Sequence, residues 1–266
     1  MRKFLSIVFL VIAALTWPDL RVQATSIQAY QDYQFQFDQY RQRLADYQIA
    51  ITQYKQFNSL ASQQDALDKV KLLIAQRSTA GKAYALFLNE KLTENPGIPA
   101  NELSIYRTIL TNQVGFLDQG IQLAPSIASL DDAARVSEQF VNNYEAMQSA
   151  YRQTIAAVEL GYLNYFAKRF DDVAVKAQAL INESRSDATP QKQAVLDRWL
   201  LTLSNKHILY QQKANSIRSM IPKINCDVLQ QDRMFTLLQG HFGAARLDLI
   251  ESASYLKELE NALKYD

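Results

Sequence analysis

Histidine and cysteine, which most often bind zinc or act as a catalytic base or nucleophile, are scarce in this sequence. The chain has two histidines, His207 and His241, and one cysteine, Cys226. Neither histidine has a glutamate three residues before it, so the glutamate–histidine spacing of di-iron bundles is missing. No H-E-x-x-H segment and no cysteine pair of the zinc-binding kind occurs. The sequence therefore predicts no metal and no cofactor.

His207 falls at an apolar position of a predicted helix, and this placement has two interpretations. It could form a pH-sensitive or ligand-binding contact, because the pKa of histidine lies close to physiological pH. It could instead be a hydrogen-bonded side chain at the edge of the core. We favour the second interpretation, because one imidazole without converging partners performs no chemistry.

Nucleophilic catalysis has equally little support. Cys226 lies near the start of the last predicted helix, where the helix dipole could lower the pKa of a thiol, but no histidine is close in sequence. A buried or inert thiol is therefore expected, with covalent pairing to a partner's cysteine as the alternative. No G-x-S-x-G elbow and no glycine-rich phosphate loop occurs. Asp131-Asp132 and Asp171-Asp172 are adjacent pairs, which diverge by about 100° on a helix. We predict that the protein is not an enzyme.

Tyrosine is unusually frequent, with 14 residues concentrated on the first and fourth predicted helices. On the first helix, aromatic and aliphatic residues recur in alternating steps of three and four, the period of a coiled coil. The tyrosines of this stripe are Tyr30, Tyr33, Tyr40, Tyr47 and Tyr54. They could form an interaction surface for a protein or a glycan, since tyrosine is favoured at interfaces. They could also form an ordinary core with hydroxyl groups at its wet edge, which the unbroken spacing favours.

The composition indicates long helices. The chain is 48% hydrophobic and 21% charged, as in globular proteins, and has only 7 glycines and 6 prolines to make turns. We predict an all-α fold: an elongated antiparallel bundle of about six helices with coiled-coil-like packing. The predicted helices are 27–57, 63–92, 102–123, 129–183, 190–221 and 227–264.

Several local features accompany these predicted helices. Ser62 with Asp65 is expected to cap the second helix and Asn101 the third. The fourth helix is long enough to bend or break, most plausibly near Gly161. Gly240-x-x-Gly243 is expected to allow close approach of another helix. Residues 25–128 and 129–266 are predicted as two helical units, and a faint similarity of their tyrosine patterns indicates either duplication or the chance alignment of two heptad helices.

Residues 1–24 resemble a signal peptide. Arg2 and Lys3 precede an apolar run over residues 4–15, and Ala24 supplies a small side chain at the predicted cleavage site. The run of about 12 residues is too short to span a bilayer as a helix, so we expect cleavage after Ala24 rather than retention as a membrane anchor.

These features together favour a protein exported to the cell envelope or secreted, with a structural or protein-interaction role. The full chain has a net charge of only +1 and lacks a run of basic residues, so nucleic acid is not an expected partner. No segment after the signal peptide approaches the roughly 18 apolar residues of a membrane span. Another protein or a second copy of the chain is the expected partner, and a bundle that binds or remodels lipid is the alternative.

Overall fold

A computed structural model describes residues 23–184, 188–224 and 227–264 of the chain. Residues 1–22 of the predicted signal peptide, and also Cys226, lie outside these ranges. Six α-helices and two short 3₁₀ turns, without a strand, make up the described part. They are α1 (Gln23–Phe57), α2 (Leu60–Thr93), α3 (Ala100–Leu123), a 3₁₀ turn (Ala124–Ser126), α4 (Leu130–Ser184), α5 (Pro190–Met220), a 3₁₀ turn (Ile221–Lys223) and α6 (Val228–Lys264).

The prediction of an all-α antiparallel bundle of about six helices is confirmed. Coiled-coil-like packing and the division into two units remain predictions. Tyr30 opposite Phe87 and Tyr33 opposite Tyr84 show that α1 and α2 are antiparallel. Across the described ranges, no helix combines the length and the hydrophobicity that crossing a membrane requires.

The turn between α1 and α2 depends on two polar residues. Asn58 ends α1 with a φ of 45°, a left-handed conformation that asparagine tolerates. Ser59 then caps α2: its hydroxyl accepts from the Ser62 backbone at 3.2 Å, and the Ser62 hydroxyl accepts from the Ser59 backbone at 3.2 Å. The predicted cap at Ser62 with Asp65 was wrong, because the capping box forms one turn earlier, immediately after the break at Asn58.

Prolines set two further helix starts. Pro99 is the residue before α3, with extended backbone and no side-chain cap, so the predicted capping role of Asn101 was wrong. The fixed φ of proline starts α3 before Asn101 is reached. The predicted start of α5 is confirmed, since the Thr189 hydroxyl accepts from the Lys192 backbone at 3.3 Å and Pro190 is the first helical residue.

Helix α4 is 55 residues long, which corresponds to about 83 Å. It contributes to three hydrophobic clusters along its length. The first cluster joins its beginning to α2 and α3, the second joins its middle to α2, α3, α5 and α6, and the third joins its end to α5 and α6. Helix α4 is therefore the element that all the clusters share.

The α4 helix continues unbroken through Gly161, so of the two predicted outcomes the break is absent and the bend stays a prediction. The glycine instead allows the loop between α2 and α3 to cross α4 at close range. A Cβ atom on Gly161 would lie 2.4 Å from Cγ1 of Ile98, and one on Gly97 would lie 1.8 Å from the Gly161 carbonyl oxygen. Asn95 fastens the crossing by donating to the Val158 carbonyl at 2.7 Å, while its own side-chain oxygen accepts from the Gly97 backbone at 3.0 Å.

Gly240 and Gly243 on α6 have the opposite environment. A Cβ atom added to either would have no atom of the described chain within 4 Å, apart from its own helix backbone and chain neighbours. The predicted close helix approach at Gly240-x-x-Gly243 is therefore wrong within this chain.

These two environments predict opposite effects of alanine. Gly243→Ala should raise the free energy of unfolding by up to about 1 kcal/mol, because alanine is the better helix former and its methyl group meets no neighbour. Gly161→Ala gains the same propensity but forces its methyl group into Ile98 and Asn95, and it should lower the stability by roughly 1–3 kcal/mol. Urea denaturation of the two variants measures both changes, and a stabilised Gly161→Ala protein would contradict the close crossing.

Candidate interaction surface

Helix α1 lies on the surface of the bundle. Of the α1 side chains that the structure describes, only Ser26 and Ala50 are buried. The helix packs mainly against α2. A helix attached along one side leaves most of its circumference open to solvent.

The face of α1 toward α2 carries a ladder of aromatic rings. Ring centroids are 4.8 Å apart for Tyr33 and Tyr84 and 5.2 Å apart for Tyr30 and Phe87. Tyr84 also contacts Tyr151 on α4 in an edge-to-face arrangement, with the two ring centroids 5.0 Å apart. Aromatic pairs at these distances attract one another beyond the burial of their area, so the ladder fastens α1 to α2 and, through Tyr84, to α4.

The five tyrosines predicted as an interaction surface all lie on or beside this face. Tyr30 is 43% exposed, and Tyr33, Tyr40, Tyr47 and Tyr54 are half-buried. Tyr30, Tyr33 and, through Phe37, Tyr40 belong to one chain of ring contacts. No ring contact within the described residues joins Tyr47 or Tyr54 to another aromatic side chain.

A cleft of about 210 Å³ opens between α1, α2 and the beginning of α4. Tyr40 and Tyr47 line it from α1, and Arg77 lines it from α2. The Arg77 guanidinium is stacked over the Phe140 ring, 5.0 Å from its centroid. Part of the tyrosine stripe is therefore used in packing and part borders this cleft, and its role as an interaction surface remains a prediction.

The outer face of α1, which points away from α2, presents large apolar side chains that the sequence analysis did not single out. Phe35 is 59% exposed and Ile49 is 60% exposed. They are two heptads apart, a spacing that keeps both on one side of a helix. Ala45, Gln48, Thr52 and Gln53 form a shallow depression beside Ile49. The sequence did not mark this face as apolar, because Gln42 occupies the heptad position between Phe35 and Ile49.

The charges in the middle of α1 neutralise one another. Arg41 lies 3.9 Å from Asp38, and Arg43 lies 3.7 Å from Asp46. Exposed pairs of this kind contribute little to stability. Their consequence is that α1 has almost no net charge over this stretch, although the charged groups themselves are exposed.

Two polar links join α4, α5 and α6. His207 Nδ1 lies 2.8 Å from Asp171 Oδ1, a partner for His207 that spacing along the chain could not indicate. Burial raises the pKa of Asp171, and the nearby His207 opposes that rise. On the other side of α5, the buried Asp248 carboxylate pairs with Lys213 at 2.5 Å and with Lys206 at 3.8 Å. These links join neighbouring helices of the bundle.

In the described ranges, no group of three or more histidine, cysteine, aspartate or glutamate side chains is arranged to hold a metal ion. Searches against protein-family models, curated proteins and solved structures find no match for this chain.

Burial makes several tyrosines hard to ionise. It raises the pKa of Tyr33 and Tyr84 within the ladder, and neighbouring phenols add to the rise. It also raises the pKa of Tyr151 and Tyr210 further, and that of Tyr106 to about 12. The Tyr151 hydroxyl donates to the Gly81 carbonyl at 3.1 Å, which keeps it protonated.

An alkaline titration should separate these residues. Burial holds the pKa of Tyr106, Tyr151 and Tyr210 above the ordinary phenol value of about 10, so these three should ionise only as the fold opens. Because the unfolded chain releases these protons at lower pH, each such tyrosine lowers the free energy of unfolding by about 1.4 kcal/mol per pH unit above pH 10. Ultraviolet phenolate absorbance, followed together with circular dichroism, measures both events. Tyr106→Phe is the control and should reduce the late absorbance step, and ionisation of all tyrosines in one step near pH 10 would contradict this assignment.

Proposed function

We propose that this is an exported, non-enzymatic helical-bundle protein that binds another protein, or a second copy of itself, at the cell envelope or outside the cell. The observation that carries the proposal is the outer face of α1. There, Phe35 and Ile49 are exposed two heptads apart on a helix attached to the bundle along one side.

Such a face suits a helical partner. A second helix lying along α1 would cover Phe35 and Ile49 together, since both lie on the same side of α1. Removing a large apolar side chain from water contributes roughly 1.5–3 kcal/mol. The nearby charges of α1 are paired and sum to almost zero, so they offer little net repulsion to an approaching surface.

Export is supported by the N-terminal sequence. Arg2 and Lys3, the apolar run and Ala24 have the order of a signal peptide. Edman sequencing of the exported protein is expected to begin at Thr25, and an intact Met1 would contradict cleavage.

The alternative, a bundle that binds lipid, draws on the same exposed apolar side chains. It is weaker because surface-lying helices that bind anionic lipid carry many basic residues on their polar face. On α1, Arg41 and Arg43 are both paired with aspartates.

A pair of double variants tests the proposed surface. Phe35→Gln with Ile49→Gln removes the apolar groups of the outer face while keeping good helix formers. Val175→Gln with Leu229→Gln is the matched control, since these side chains are 70% and 72% exposed on α4 and α6. Each protein is immobilised to capture partners from envelope extracts, and its mass in solution is measured by light scattering.

We expect the outer-face variant to lose at least tenfold of the captured partner, or of its self-association, while the control keeps both. The melting temperatures of the two variants should remain close to that of the unaltered protein. Equal capture by the two variants would overturn the role of this face. Co-sedimentation with anionic vesicles that the outer-face changes abolish would favour the lipid alternative.

A further inference from the structure

The N-terminal end of α1 is held by a carboxylate from another helix. Glu94 Oε1 accepts a hydrogen bond from the Thr25 hydroxyl at 2.5 Å and another from the Ser26 backbone at 2.8 Å. Ser26 is only 1% exposed. Because α1 and α2 are antiparallel, the first turn of α1 lies beside the last turn of α2, where Glu94 is located.

The position of Glu94 is unfavourable for its own helix. It is the C-terminal capping residue of α2, and its backbone N–H donates to the carbonyl group of Glu90 at 2.9 Å. The C-terminus of a helix carries partial negative charge, so a carboxylate there is repelled. The hydrogen bonds that the Glu94 carboxylate accepts from Thr25 and Ser26 account for a glutamate at this position. The first N–H groups of α1 need acceptors, and they carry partial positive charge.

Two independent observations, one from the sequence and one from the structure, concern the same residue, Thr25. The signal-peptide pattern predicts hydrolysis of the peptide bond between Ala24 and Thr25. A signal peptidase would add water across that bond, leaving a carboxylate on Ala24 and an amino group on Thr25 that takes up a proton at neutral pH. The residue that gains this ammonium group is the residue whose hydroxyl group already contacts Glu94.

We propose that Glu94 is the receptor for the processed N-terminus: after cleavage, its carboxylate pairs with the α-ammonium group of Thr25 and seats the end of α1 on the bundle. This proposal rests on the proposed export. An ammonium group at a helix N-terminus is normally unfavourable, because it adds to the positive end of the dipole. The Glu94 carboxylate offsets that charge, so cleavage adds an ion pair where the uncleaved chain has neutral donors.

Two other titratable groups interact electrostatically with the Glu94 carboxylate. Lys91, one turn earlier on α2, and the hydrogen bonds from Thr25 and Ser26 hold the pKa of Glu94 below its usual range, against the effect of its partial burial. Tyr162 on α4 has a raised pKa through burial and through the Glu94 charge. The comparison of free with acetylated chains isolates the Thr25 amine from every other titratable group, because acetylation changes only that amine.

The seating of α1 has a consequence for the proposed interaction surface. The outer face belongs to α1, and the bonds to Glu94 fasten the same helix at its first turn. Processing of the precursor would therefore strengthen the attachment of the helix that carries the binding residues.

The experiment compares chains that begin at Thr25, each prepared with a free and with an acetylated N-terminus, in the unaltered protein and in Glu94→Gln. The N-terminal amine is labelled by ¹³C-reductive methylation, and its titration is followed by NMR. The ordinary pKa of an α-amino group is about 7.7–8.0. We expect a higher pKa in the unaltered chain, corresponding to a three- to tenfold tighter hold on the proton, and a return to that of an unstructured peptide bearing the same label in Glu94→Gln.

Thermal unfolding gives a second readout. An amine whose pKa is raised by folding stabilises the folded state fully below its unfolded pKa, and this effect is lost as pH rises through the folded pKa. The free chain should therefore melt above the acetylated chain at pH 6–7, the difference should fade above about pH 9, and Glu94→Gln should abolish it at every pH.

An amine that titrates like that of the labelled peptide in the unaltered chain would overturn the proposal, and so would a free-minus-acetylated difference that survives in Glu94→Gln. Edman sequencing of the exported protein that begins anywhere other than Thr25 would also overturn it. Failure of the outer-face variants to change partner capture would count against the proposed function alone, since the titration uses the purified chain without a partner.

Discussion

The rest of the structure depends on one constraint, which is that the long helix α4 is buried on several sides. Helix α4 meets α2 and α3 in its first part, α5 and α6 in its last part, and all four in its middle. A helix can accept neighbours on opposite sides only where its side chains are small enough for them to approach. Ala156 and Ala157 are both buried at this place, and Leu160 fills the remaining space. At Gly161 no side chain at all fits, because the loop between α2 and α3 passes directly over this residue.

The polar contacts along α4 follow from this arrangement. Where α6 runs beside α4, Arg152 pairs with Asp232 and Glu159 with Arg246 at the edges of the apolar contact. Where the segment after α5 crosses α4, Gln153 donates to the Ile224 carbonyl at 3.0 Å. These contacts satisfy polar groups that packing would otherwise leave unpaired, so they select one alignment of the helices.

The helices were largely predictable because their information is local. Hydrophobic periodicity and the prolines gave six helices whose ends agree with the structure to within a few residues. The errors came where tertiary contact decides. Nothing near Gly161 in the sequence reveals that Ile98 passes over it. The cap of α2 was displaced by one turn because Asn58 adopts a left-handed conformation that competes with a plausible downstream cap.

The candidate site was only partly predictable for a related reason. The tyrosine stripe was visible because apolar residues recur every 3.5 residues on average. This spacing does not show how completely a neighbouring helix covers the stripe. The partners of His207 and Glu94 come from distant parts of the chain, at Asp171 and at Thr25. Ionic and hydrogen-bonding contacts between helices leave no regular trace in one sequence, whereas apolar burial does.

The one-sided attachment of α1 has a consequence for how the molecule opens. None of the fully buried members of the three hydrophobic clusters comes from α1. Release of α1 would uncover α2 and withdraw Tyr47 from one cluster but would remove no fully buried cluster member, so this helix is expected to separate with less free energy than global unfolding. Two copies that released it together could each accept the α1 of the other, so the hairpin at Asn58 is the place where exchange of a helix between copies would be expected.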